Sequence, residues 1–376
     1  MKNINFKFKC FFCLFLLFFL SADAIAETAA EKILLFITID VEAGSYEGKP
    51  NKLSDRIYGY IDGEYWGIPK IMELCKKYNA GATFFVDVYE YKHYGAEAFK
   101  KIVGQIKENG FDVQLHAHPR WYYGNEKDKM WQYSLEQQVE VIKEGKQLLY
   151  DWTGINPVAF RAGGYAADEN TLKALEANSI PIDSSMAYGM PLNKLGLLVP
   201  SLSINKPTEV GKVKEMPVTV FEELSFGKYK RMRLFDIEAD TLRELKYVVE
   251  QAKDHHLPIL VLMIHSHSFV KWNADRTRHW GDPEELRRFE EFLQYVSSDK
   301  GIVPVTFTEF HNLVQKGYAI EGNDYVPHTG VLLTYMRSLE RINEGTENVL
   351  FAIIPPAGIV LFVFIIIYFF KRKKAA

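Results

Sequence analysis

Apolar runs rich in β-branched and aromatic residues recur along this chain, separated by segments of helical period, and that alternation limits the fold more than any other feature. ILLFITI (33–39), ATFFV (82–86), FDVQL (111–115), VAF (158–160) and PILVLMI (258–264) read as strands, and IVPVTFTEF (302–310) as a last one. Between them, 66–79, 96–109, 134–152 and 168–179 read as amphipathic helices, with LRELKYVVEQAKDHH and DPEELRRFEEFLQYVSS following later. Repeated β-then-α units imply a parallel sheet, open or closed into a barrel. LSINKPTEVGKVKEMPVTV interrupts the alternation as an irregular β excursion, and no repeat of fixed period is visible.

The two ends differ from the rest. Lysines at 2, 7 and 9 precede CFFCLFLLFFL and a small-residue stretch ending at Ala26, the pattern of a secretory signal peptide over 1–26. Val349 to Phe370 is apolar throughout, long enough to span a bilayer, and KRKK follows at once. The positive-inside rule puts the basic tail, 371–376, in the cytoplasm. The expected layout is single-pass and type I: exported, anchored by a transmembrane helix over 349–370, with the ectodomain periplasmic or at the cell surface. A barrel over 27–313 and a linker or small cap over 314–348 complete it.

Cys10 and Cys13 leave with the signal peptide, so Cys75 remains alone and the exported domain holds together by its core, for which 48% hydrophobic residues suffice. With +2 on residues 1–26 and +4 on KRKK, the formal charge of −3 leaves −9 on the segment between. An acidic ectodomain argues against nucleic acid as a partner.

In parallel β/α folds reactive groups gather where strands end. Four apolar runs here end in polar clusters: TIDVEAG, QLHAHP, FRAGGY and MIHSHS. Residues two apart on a strand share a face, so Asp40 and Glu42 point into one pocket, and His116 and His118 are related in the same way. A carboxylate with two imidazoles is a common ligand set for zinc or a related divalent ion. Asp40 would then be a second carboxylate, placed to take a proton from bound water. Either pair alone has an ordinary reading, a turn cap for the carboxylates and a structural role for the histidines. Four clusters at four strand ends are harder to dismiss together.

The order of these motifs resembles the polysaccharide deacetylase (NodB-homology) family, whose catalytic domain is a distorted (β/α) barrel, over about residues 33–310. The family's usual first motif is T-F-D-D; TIDVE resembles a variant branch in which base and ligand stand one residue apart. The common H-S/T-x-x-H fails here because Arg120 stands where the second histidine would fall, and HAHPRW resembles the branch bearing H-x-H-P. RAGGY is one residue longer than R-x-P-Y, IDSSM matches D-x-x-S-W in part, and LMIH matches L-x-I-H. The resemblance implies that Glu42, His116 and His118 bind the metal, zinc first and cobalt, nickel or iron otherwise. It implies Asp40 as base, Arg161 as the group orienting it, Tyr165 as an oxyanion donor through its backbone N–H, Asp183 as a supporting carboxylate and His265 as general acid. His267 receives no role.

The implied reaction is hydrolysis of an acetamide on an amino sugar of an envelope polysaccharide, peptidoglycan or lipid-linked glycan. Two rivals stand beside it: a membrane-anchored glycan-binding protein without catalysis, and a deacylase acting on O-acetyl or N-formyl groups. Trp121, Tyr122, Tyr123, Trp272 and Trp280 are available to stack on sugars, but packing or loop anchoring is the more ordinary use of each.

Overall fold

In the computed structural model, residues 32–46, 49–195, 199, 201–226, 229–273 and 275–343 are described. The expected signal peptide, the apolar span 349–370 and the basic tail lie outside them; no helix of the described residues is long and apolar enough to cross a membrane.

Nine strands form the main sheet: β1 (Ile33–Val41), β2 (Ala82–Asp87), β3 (Asp112–Ala117), β4 (Ala159–Ala162), β5 (Ile182–Asp183), β6 (Thr208–Val210), β7 (Val213–Glu215), β8 (Ile259–His265) and β9 (Ile302–Pro304). Their order is β6-β7-β5-β4-β3-β2-β1-β8, parallel except for the β6–β7 hairpin that realises the expected β excursion. β1 is the centre. Along one edge it pairs with β8 from Leu34 to Asp40; the other is shared between β9 at Ile33–Leu35 and β2 at Ile37–Val41.

All nine residues of β1 are buried, as expected of a strand covered on both faces. Leu35, Ile37, Ile39 and Val41 belong to the larger core, which includes buried residues of the flanking helices α1 (Ile68–Lys77), α2 (Ala96–Glu108) and α3 (Leu135–Thr153). Leu34 and Phe36, on the opposite face, join a second core with Phe85, Met263, Phe307 and Phe310. On that face the same period of two continues to Thr38 and Asp40, so one surface of β1 runs from apolar to polar toward its C-terminal end.

The sheet is curled. In a flat sheet β1 and β4 would lie about 14 Å apart, too far for a side chain on one to bond the other. Here Arg161 of β4 donates to both Thr38 and Asp40 of β1. The ladder nevertheless stops short of a closed barrel: β5 and β7 are two and three residues long, and Pro217 supplies no N–H. Single bonds span the remaining gap, among them Val218 N–H to Met186 O (2.8 Å), Val261 N–H to Thr219 Oγ1 (2.8 Å) and Met263 N–H to Phe235 O (3.0 Å).

The last expected strand is shorter than its β-rich sequence suggests. IVPVTFTEF is extended only to Pro304; a helix, α7, covers Phe307–Gln315 in chain order after α4 (Glu169–Ala177), α5 (Leu242–Asp254) and α6 (Pro283–Ser298). Thr306 and Glu309 form a reciprocal capping box that starts it, and Phe307 packs between Phe36 and Phe85 at 5.0 and 5.2 Å between centroids. Beyond it, where a linker or small cap was expected over 314–348, α8 (Gly330–Asn343) packs on the domain. Its Arg337 pairs with Glu223 and Glu244, and Arg341 with Glu285.

Candidate active site

All four polar strand ends meet at one rim. Strand register does much of this: Asp40 lies beside His265, and His116 beside Arg161. Glu42 follows β1, and His118 stands at the start of a short helix, Pro119–Tyr123.

Glu42 Oε2 lies 2.7 Å from His118 Nε2 and 3.6 Å from His116 Nε2, and the three donor atoms fall within 4.8 Å of one another. The other nitrogen of each ring is already committed. His116 Nδ1 faces the Arg161 carbonyl at 2.9 Å, and His118 Nδ1 faces Asp128 Oδ2 at 3.0 Å. Both acceptors require N–H at Nδ1 in the neutral ring, which leaves the Nε2 lone pairs directed toward Glu42. The donor set therefore fits a divalent metal with N and O ligands.

Burial disfavours the His118 imidazolium, but Glu42 and Asp128 outweigh it and hold its pKa well above the ordinary value. Burial likewise opposes the Glu42 charge, and His118 with His116 overcomes this, holding Glu42 well below the carboxylate range. Gly163 makes room for the arrangement. A Cβ there would stand 2.4 to 2.6 Å from three atoms of the His118 ring.

Asp40 does not cap a turn. Its Oδ1 accepts from Arg161 Nη1 at 2.8 Å, and the rest of that buried guanidinium is fixed by Thr38 Oγ1, Ser184 O and Ser184 Oγ. The carboxylate is thus held at one oxygen, beside the cluster.

His265 sits on the other side, its Nε2 4.0 Å from Glu42 Oε1. Nδ1 faces Glu238 Oε1 at 2.7 Å. Burial pushes its pKa down, Glu238 pushes it up more strongly, and Glu42 and Asp40 add to this, bringing it to about 10. The ring is therefore an imidazolium at neutral pH, a donor rather than an acceptor. His267, by contrast, is held well below the ordinary value by burial, Arg56 and His265.

Two expected site residues are placed less directly. Tyr165 follows Gly164 in a turn where both have positive φ (58° and 59°), unusual for a tyrosine and the kind of backbone often found at functional sites. Its ring packs into the second core, and its buried hydroxyl has no hydrogen-bond partner among the described residues. Asp183 makes no hydrogen bond to Arg161; Ser184 takes that place, and Asp183 accepts from Ser185 Oγ at 2.6 Å. Burial pushes Asp183 up to about 6, while burial and the Asp183 charge push Glu215 well above its usual range.

Sequence reading missed Asp128 and Glu238, the carboxylates that orient His118 and His265. Arg120 Nε lies 3.3 Å from Asp128 Oδ1, with its guanidinium 4.9 Å from the Trp121 ring. Tyr122 is tied to Glu140 and Tyr123 stacks on Tyr133, so these aromatics serve as anchors, while Trp280 is exposed.

Residues 60–181 match the family model "Polysaccharide deacetylase", a segment that holds His116, His118, Arg161 and Tyr165. A Helicobacter pylori peptidoglycan deacetylase is 26% identical over 164 residues, 42% of this chain; the chain spans about half (51%) of that relative's length. A Mycobacterium smegmatis structure described as a candidate polysaccharide deacetylase shares the fold at a TM-score of 0.52 and 17% identity, covering 78% of this chain and 94% of its own. A Streptomyces lividans family 4 carbohydrate esterase, 12% identical, aligns over 80% of this chain and 99% of its own with a TM-score of 0.39. Residues 60–181 thus carry a polysaccharide deacetylase segment, set in a curled β/α sheet of the same fold as the Mycobacterium smegmatis structure.

Proposed function

We propose that the protein is a metal-dependent hydrolase that removes N-acetyl groups from amino sugars of a cell-envelope polysaccharide. The observation that carries this reading is the convergence of Glu42, His116 and His118 between a carboxylate fixed by Arg161 and an imidazolium fixed by Glu238. When bound, the metal would polarise the substrate carbonyl and make water more acidic. Asp40, with one oxygen on Arg161, takes the proton that the attacking water loses. The Tyr165 turn offers a backbone N–H to the developing oxyanion. His265 gives its proton to the leaving nitrogen, which departs as an amine.

That last role separates the rivals. An amine is a poor leaving group unless protonated, whereas an ester's alkoxide needs less help, so a strongly basic His265 favours amides over O-acetyl esters. The family's members with peptidoglycan or polysaccharide in their names make such glycans the first substrates to test. We also propose that the domain is exported and anchored by residues 349–370, which support from carbonate extraction and protease accessibility would test.

The decisive experiment measures acetate release from N-acetylated glycan oligomers by zinc-loaded protein, beside Asp40→Asn. Release by the parent and loss of at least about a hundredfold in the variant is expected. Glycan binding without acetate or formate release from any acylated glycan would replace this reading with the non-catalytic one.

A further inference from the structure

The mechanism above leaves unused a cationic corner beside Glu42. Arg56 is anchored by Nε to the Ala43 carbonyl at 3.2 Å, one residue past Glu42, while its two Nη nitrogens have no hydrogen-bond partner among the described residues. Its guanidinium carbon lies 5.0 Å from the centre of the Trp272 ring, and that of Arg276 lies 5.9 Å from the same centre. Trp272 belongs to a hairpin, Val270–Trp272 with His279–Gly281, that rises directly after His265 and His267.

Two guanidinium groups on one indole repel each other. Among the described residues no carboxylate approaches Arg56 within ion-pair distance, so they do not neutralise the half-buried charge by direct pairing. Burial and Arg276 both push its pKa down, to about 10, against the pull of Glu42, Glu238 and Glu90. A structural arginine at such a place would be expected to close on a carboxylate. One with an open fork fits an oxyanion from outside, which would relieve the repulsion and take two parallel N–H bonds.

We propose that Arg56 and Arg276, set against Trp272, form a subsite for a carboxylate on the glycan, carried by the sugar next to the one whose acetamide enters the metal cluster. This inference rests on the deacetylase reading for its placement of the acetamide. It makes an acidic glycan the preferred substrate class of a site otherwise lined by carboxylates. Arg56 is then a specificity-determining residue, with its Nη atoms on the acid and its Nε on the chain.

The test uses the full chain bearing Asp40→Asn, loaded with zinc, and two N-acetylated oligosaccharides that differ only in having the neighbouring carboxylate or its reduced alcohol. Calorimetry at low salt is expected to show the acid bound about tenfold more tightly or better, with the preference shrinking as salt rises. Adding Arg56→Gln removes the preference, Arg276→Gln reduces it, and Arg56→Lys, which keeps charge but loses the fork, restores part of it. Equal binding of both oligosaccharides by the parent, a preference that survives Arg56→Gln, or binding of neither overturns the subsite. Acetate release by protein with Asp40 intact is measured on the same pair. A preference without release from either sinks the deacetylase reading and leaves the subsite standing; release with no preference does the reverse.

Discussion

Glu238 Oε1 faces His265 Nδ1 at 2.7 Å and accepts from Ser268 Oγ at 2.5 Å, so one oxygen both orients the proposed general acid and raises its pKa. The folded pKa of His265 is about 10, above the ordinary histidine value near 6.5. Because it is raised, the pair's contribution to stability is complete below about 6.5 and is lost as pH rises through about 10. In Glu238→Gln the alkaline limb of the rate profile should move to lower pH and kcat should fall by about 10- to 100-fold. A profile unmoved by the substitution would show that Glu238 does not hold the proton on His265.

Asp128 plays the corresponding part for His118. Protons compete with a metal for Nε2, and the raised pKa of His118 extends that competition upward, so affinity should fall steadily as the medium is acidified. Asp128→Asn keeps the shape but removes the charge that fixes the ring. Zinc affinity at neutral pH is expected to drop by about 10- to 100-fold, as outer partners of ligating histidines usually require. Competition with a chromophoric chelator measures it, and an unchanged affinity would remove Asp128 from the site.

Gly163→Ala tests the packing behind the same ring. The new methyl meets imidazole atoms 2.4 to 2.6 Å away, so His118 must turn or β4 must shift. Metal content should fall below half an equivalent while the far-ultraviolet circular dichroism stays native. Full occupancy would mean that the ring has slack the geometry does not show.

These carboxylates explain what the sequence could and could not disclose. Asp40, Glu42, His116 and His118 were legible because the period of two along a strand is local, and strand ends in parallel sheets converge. Asp128 and Glu238 lie 10 and 27 residues from the rings they orient, in segments with no periodicity, so only the folded chain brings them in. The Thr306–Glu309 capping box was present in TFTEF, but β-rich neighbours concealed it. The resemblance implied Asp183 only as a supporting carboxylate, and no local signal in the sequence names Thr38 and Ser184, which share the Arg161 guanidinium with Asp40.

The region where periodicity loosened after Val314 carries the last prediction. Arg337 of α8 is buried between Glu223 and Glu244, themselves buried, with Nη1 2.7 Å from Glu244 Oε1. Removing it leaves buried Glu244 without its ion-pair partner and Glu223 with Arg231 alone, so Arg337→Met should cost about 3–5 kcal/mol of unfolding free energy in urea. The same substitution combined with Glu223→Gln and Glu244→Gln should recover much of that loss, because the stranded charges are gone and not merely unpaired. Near-neutral effects from the single change would instead make α8 a loosely attached cap, and a loss without recovery would assign its value to packing of the arginine stem.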